Sequence, residues 1–173
     1  IQYYADGSFS ECSDGTRGGF SILAVAWNKQ KKDWEQIVTC NLHSIPDAVS
    51  SAQMELRAVW TALRMAIEHY PNSPASIRTD HAATVKVAQE YVETYQHADG
   101  EMERERMHRQ FVERSGQRGN GLEQDYNMLF NLIDHAQVKN IDLSFQHIGR
   151  CSDTWASRVH HGAIAAAACQ ETR

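Results

Sequence analysis

The period of apolar positions changes several times along the chain, and each change marks an element. Residues 3–9, 19–27 and 34–41 are short runs rich in β-branched and aromatic side chains, separated by Asp/Gly/Ser-rich or Lys-rich stretches. They predict three antiparallel strands in a meander. From Ser50 to about His69 the period becomes helical, with Val59, Ala62, Leu63, Ala66 and Ile67 on one stripe, and Pro71 and Pro74 end it. A fourth strand is predicted over 75–78. Asp80 stands where a helix N-cap belongs, ahead of a second helix over 82–95 that turns Val85, Ala88 and Val92 inward. Residues 122–136 put Tyr126, Leu129, Phe130 and Ile133 on a third amphipathic face; 142–146 reads as a fifth strand and 154–169 as an alanine-rich closing helix.

Residues 97–124 interrupt this order. The stretch is charged, poor in aliphatics and broken by Gly116, Gly119 and Gly121, so it reads as an inserted excursion: a short charged helix over about 101–114, then a mobile loop, with no part in the core. Trp27, Trp34 and Trp60 are assigned to the core, and Trp155 to docking of the last helix. The three lysines in the turn 28–33 are read as keeping a sheet edge soluble.

Composition narrows the class. A chain of 173 residues that is 42% hydrophobic and 23% charged fits one globular domain with a buried core. No apolar run approaches the roughly 18 residues of a bilayer span, and no signal-peptide pattern opens the chain, so membrane and secretory classes are not expected. Ile1 already lies inside a predicted strand, which suits a domain excised from a larger polypeptide. A net charge of -5 argues against a surface that is basic throughout, while leaving room for local basic patches. Cys12, Cys40, Cys151 and Cys169 form neither a C-x-x-C pair nor a zinc pattern, and are expected to be reduced thiols of an intracellular protein.

Three acids stand out. Asp6 ends an otherwise apolar strand pattern, although an Asp-Gly pair is also a common turn. Glu55 heads the core-facing stripe of the first helix, where a carboxylate needs a partner. Asp80 follows the fourth strand. In a mixed sheet, the ends of adjacent central strands and the buried end of a packed helix converge on one spot. Three carboxylates gathered there repel one another unless a cation neutralises them, and hard oxygen ligands suit Mg²⁺ or Mn²⁺. Two such ions about 4 Å apart would activate a water and stabilise the leaving oxygen of a phosphodiester.

Tyr4-Ala5-Asp6-Gly7-Ser8, then Gln53-Met54-Glu55-Leu56-Arg57-Ala58, then Ile77-Arg78-Thr79-Asp80 resemble, in order and spacing, the signature segments of the type 1 ribonuclease H domain family, which includes reverse-transcriptase domains. Residues 145–150 and 158–167 are similar to its last strand, catalytic loop and Ala-rich final helix. The resemblance implies an α/β fold with a mixed five-stranded sheet in the order 3-2-1-4-5 and helices on both faces. It also implies metal-dependent hydrolysis of the RNA strand of RNA/DNA hybrids by a two-metal mechanism, the domain being joined to others in a larger enzyme such as a reverse transcriptase. It carries Asp6, Glu55 and Asp80 over as metal ligands and catalytic residues, with His160 at the place of the family's fourth, usually acidic, position.

The chain departs from the family at that place, since a neutral imidazole adds no negative charge to the site. In the catalytic loop Gly149 is followed by Arg150 where the family has His, and His147 lies three residues earlier. Before Glu55 the residues that would read the hybrid's minor groove are Ser51 and Ala52, leaving Gln53 as the nearby amide. Ser8, Gln53, Arg106, Arg109 and Arg150 are the expected substrate contacts. The excursion overlies the position of the family's basic handle, and its Arg106, Arg109 and Arg114 either share a face toward phosphate or are cancelled by interleaved acids in i, i+4 ion pairs. Two further readings stay open: a catalytically degenerate domain on the same scaffold that binds nucleic acid or protein, and a resolvase-type DNA nuclease, for which the His in the last helix is the hint.

Overall fold

A computed structural model describes residues 1–46, 48–118 and 121–169. Ten elements follow one another: β1 (Gln2–Cys12), β2 (Gly15–Asn28), β3 (Asp33–Pro46), α1 (Ser51–His69), β4 (Ala75–Thr79), α2 (Ala82–His97), α3 (Glu101–Arg118), α4 (Glu123–Val138), β5 (Leu143–His147) and α5 (Thr154–Ala167). The sheet order is β3-β2-β1-β4-β5, as expected. β1, β2 and β3 pair antiparallel, while β4 pairs parallel to both β1 and β5. No helix among the described residues is long and apolar enough to cross a membrane.

Alternation along β1 divides the core. Tyr3 and Ala5 face the main cluster with the buried stripe of α1 and residues of α2, α3 and α4, whereas Tyr4 faces a smaller cluster with Leu23, Val25 and α5's Ala156 and Val159. On the α5 face the approach is close: a Cβ on Gly19 would lie 2.4 Å from the carbonyl carbon of Ala166, so only glycine lets helix and sheet meet there. Ser50 caps α1 by accepting from the Gln53 N–H.

Several expectations are corrected. Asp6 does not end its strand: Asp6 and Gly7 lie inside β1, opposite Ser21 and Phe20, which also sets aside the alternative of an Asp-Gly turn. The N-cap position of α2 is taken by His81, which leaves the Asp80 side chain free for other contacts. Trp27 is 49% exposed near the end of the β2–β3 ladder, where it pairs with Trp34 and meets its ring edge-on instead of joining the core. Cys12 and Cys169 are joined in a disulfide, leaving Cys40 and Cys151 as free thiols. The partners are 157 residues apart, and only the packing of α5 across the β1–β2 end brings them together.

The excursion differs most. It forms an 18-residue helix that runs through Gly116, and Met107, Phe111 and Ser115 are buried at four-residue spacing. Phe111 packs edge-on to Tyr91 and Phe130, so the helix contributes to the main core. Its narrow apolar stripe is diluted in the sequence by charges on the other faces. Arg104 stacks on Tyr95, His108 contacts Tyr91 and Arg114 pairs with Glu90, so α3 runs antiparallel to α2. Gly119, one of the glycines expected to loosen this stretch, lies outside the described residues.

Candidate metal centre

The β1–β4 ladder extends only over Gln2–Tyr4 and Ser76–Arg78. Beyond it, where β1 runs on past the end of its pairing with β4, Asp6 inside β1 and Asp80 just after β4 flank the gap, and the first turns of α1 bring Glu55 beside them. One carboxylate oxygen from each of Asp6, Glu55 and Asp80 lies within 4.8 Å of the other two. Gly7 fixes the approach of α1. A Cβ there would lie 2.2 Å from the Met54 carbonyl carbon, and its N–H donates to Glu55 Oε2 at 3.1 Å.

The charges at this centre are incompletely answered by the chain. Asp6 is 4% exposed; its Oδ2 lies 2.7 Å from His160 Nδ1, while its Oδ1 is buried without a hydrogen-bond partner. Asp80 Oδ2 accepts from Arg150 Nε at 2.9 Å. Burial, and then the negative charges of Asp6 and Asp80, push the Glu55 carboxyl well above the usual carboxylate range, opposed only by the Gly7 N–H. The same acids, Asp80 first, raise the pKa of the Arg150 guanidinium above its ordinary value. Three clustered carboxylates, together with a buried Asp6 oxygen that no group of the chain answers, fit a hard divalent cation such as Mg²⁺ or Mn²⁺. His160 meets the cluster through Asp6 and lies outside the group of three. A small cavity of about 10 Å³ opens beside Asp6, Asp80, Arg150, Cys151 and His160, room for one water-sized body.

The other expected contact residues lie in different places. Ser8 is half-buried in β1 opposite Gly19. Gln53 is 7% exposed and engaged at both ends of its amide: Oε1 accepts from the Val49 N–H at 3.0 Å, and Nε2 donates to Asp125 Oδ2 at 3.3 Å. This buried network displaces the reading of Gln53 as an amide open to substrate. Arg106 and Arg109 are exposed and form no ion pair among the described residues, so the interleaved pairing weighed for them is absent. Arg106 borders Thr94 and His97 at the far end of α2, about 20 Å from the end that follows Asp80. Arg114 instead shares a groove with Lys86, His81 and Ala52 on the near side. Lys86 escaped the sequence reading because a single exposed lysine on a helix carries no local signal.

No protein-family model matches the chain. No curated protein matches it either. Solved structures do. Native prototype foamy virus protease-reverse transcriptase superposes with a TM-score of 0.69 at 13% identity, over 98% of this chain and 21% of that one. The foamy viral protease-reverse transcriptase in complex with RNA/DNA hybrid gives a TM-score of 0.65 at 13% identity, over 96% and 20%. The chain therefore spans about a fifth of the length of those two proteins. RNase H1 from the halophilic archaeon Halobacterium salinarum is covered almost end to end, with a TM-score of 0.57, 14% identity, and 95% and 98% of the two chains. The chain has the ribonuclease H-like fold. Within the ribonuclease H-like fold of this chain, the three carboxylates gather where the pairing of β1 with β4 stops, between α1 on one face of β1 and α5 on the other.

Proposed function

We propose that the protein is a divalent-cation-dependent endonuclease that cleaves the RNA strand of RNA/DNA hybrids. The observation that carries this reading is the cluster of Asp6, Glu55 and Asp80, with its buried and unpartnered Asp6 Oδ1, in a ribonuclease H-like fold. A pair of Mg²⁺ or Mn²⁺ ions would supply water activation and charge stabilisation at the scissile phosphate. The chain's own residues do the rest. Asp6, Glu55 and Asp80 offer the ligand oxygens, the Gly7 N–H orients Glu55, and His160 fixes the rotamer of Asp6. Lys86, exposed in the groove beside His81, would meet the nucleic-acid backbone, and Arg114 beside it would do so on leaving Glu90. A hybrid is the proposed substrate because the signature segments resemble those of ribonuclease H domains and a foamy viral neighbour is bound to one, although another is bound to double-stranded DNA. Hydrolysis breaks the P–O3′ bond, leaving a 3′-hydroxyl on one fragment and a 5′-phosphate on the other.

The experiment is a cleavage assay on RNA/DNA hybrid, double-stranded RNA and four-way junction DNA, with Mg²⁺, Mn²⁺ or chelator. Cation-dependent cleavage confined to the hybrid, and lost in Asp6→Asn, is the expected result. A second reading, a nucleic-acid-binding domain without activity, draws on the Arg150 and His160 contacts that answer two of the three acids. Hybrid bound but not cut in either metal would establish it, and cutting of the junction alone would make the protein a resolvase-type nuclease.

A further inference from the structure

Arg150 stands on a turn that holds it over the carboxylates. The Ile148 N–H donates to the Thr79 carbonyl at 2.9 Å, tying the end of β5 to the end of β4. The Ser152 N–H donates to the Gly149 carbonyl at 3.0 Å, closing a turn whose third residue, Cys151, has φ 54°. Asp153 then caps α5 by accepting from the Ala156 N–H at 2.8 Å. Between these anchors Arg150 Nε reaches Asp80 Oδ2, while 64% of the side chain stays exposed and its terminal amino groups have no partner among the described residues. One oxygen of the cluster is thus covered by a cation that the chain itself provides.

We propose that Arg150 is an exchangeable counter-cation: it holds Asp80 while the cluster lacks a divalent ion, and passes to a phosphate of the nucleic acid when the ion binds, so that metal and polyanion are taken up together. This rests on the reading of Asp6, Glu55 and Asp80 as a cation site. A guanidinium and a divalent ion repel each other at one carboxylate, so occupancy of Asp80 by either opposes the other. The exposed fork matches the geometry of a phosphate, which gives the displaced side chain a better partner than water. Linkage makes the effect reciprocal: a duplex that draws Arg150 away raises cation affinity by the factor by which the cation raises duplex affinity.

The test is calorimetric titration of the whole chain with Mn²⁺, with and without a 2′-O-methyl-RNA/DNA duplex that resists cleavage. Wild type is compared with Arg150→Ala and with Arg158→Gln, which removes an equal charge from α5 at a side chain stacked on Trp155. Without duplex, Arg150→Ala should bind Mn²⁺ about fivefold tighter or more, and Arg158→Gln should match wild type. The duplex should raise Mn²⁺ affinity more in wild type than in Arg150→Ala. Equal Mn²⁺ affinity in wild type and Arg150→Ala, or equal tightening in Arg158→Gln, overturns the proposal while leaving the metal centre standing. No Mn²⁺ binding in any variant overturns both.

Discussion

Asp125 and Asp6 are both buried aspartates, 7% and 4% exposed, in carboxylate sites on opposite sides of α1's N-terminal turns. Asp125 receives three donors from α1: Arg57 Nε at 3.0 Å, Trp60 Nε1 at 3.3 Å and Gln53 Nε2 at 3.3 Å. Its charge is answered by the chain, and the result is a pin between α1 and α4. Asp6 has His160 on one oxygen, nothing on the other, and two further acids beside it. The same residue type therefore serves packing in one place and leaves room for an external cation in the other, and the supply of donors makes the difference.

Substitutions that remove only the charge should separate the two most sharply. Asp6→Asn and Asp80→Asn should lower hybrid cleavage about a thousandfold or more, equivalent to about 4 kcal/mol of transition-state stabilisation. Asp125→Asn should stay within about tenfold of wild type in the same assay. Comparable losses in all three would erase the distinction.

Stability should show the opposite ranking. Asp125→Ala strands Arg57 and the Trp60 indole N–H at a largely buried interface, and should cost about 2–3 kcal/mol in denaturant unfolding whether or not divalent ions are present. Asp6→Asn without divalent ions should cost nothing, and should gain up to about 1 kcal/mol as repulsion with Glu55 and Asp80 is relieved. A large loss in metal-free Asp6→Asn would mean that the cluster is a structural network like the other.

Much of the fold was legible because the apolar period switched cleanly between two and 3.6, and turn residues bracketed each run. The three acids were legible for a related reason: each interrupted or followed an apolar pattern, Asp6 within β1, Asp80 just after β4 and Glu55 on the core-facing stripe of α1, and sheet order brings these places together. The Asp125 network was not, since Gln53 and Asp125 are 72 positions apart and α4's pattern says nothing about which acid turns inward. Cys12–Cys169 was hidden in the same way. In α3, Met107 and Phe111 occupy a stripe too narrow to register against the charges around them. Arg106 and Arg109 were singled out by spacing, but the antiparallel run of α3 along α2 carries Arg106 to the far end of α2 and brings Arg114 to the groove beside His81 and Lys86.

A smaller effect sharpens the comparison at a third carboxylate. Asp134 accepts from the Tyr91 hydroxyl at 2.7 Å and lies 3.0 Å from His108 Nδ1, while His108 Nε2 lies 2.9 Å from Asn127 Oδ1. The hydrogen bond to Asp134 raises the His108 pKa above its ordinary value of 6.5, outweighing its partial burial. Folding then takes up a proton, so this contribution is fully present below the unfolded pKa and is lost as pH rises through the folded one. The stability difference between wild type and His108→Gln should therefore shrink as pH rises above the ordinary imidazole value of 6.5. A difference that is flat with pH would mean that His108 packs α3 without carrying charge.

The central claim is that Asp6, Glu55 and Asp80 form a divalent-cation site, and thermal unfolding of the metal-free protein against added Mn²⁺ tests it most directly. At about ten times the dissociation constant, binding contributes about 1.4 kcal/mol, and wild type should melt about 3–5 °C higher. Asp6→Asn and Asp80→Asn should lose that shift while Asp125→Asn keeps it. A wild type whose melting temperature is unmoved by millimolar Mn²⁺ or Mg²⁺ would contradict the account.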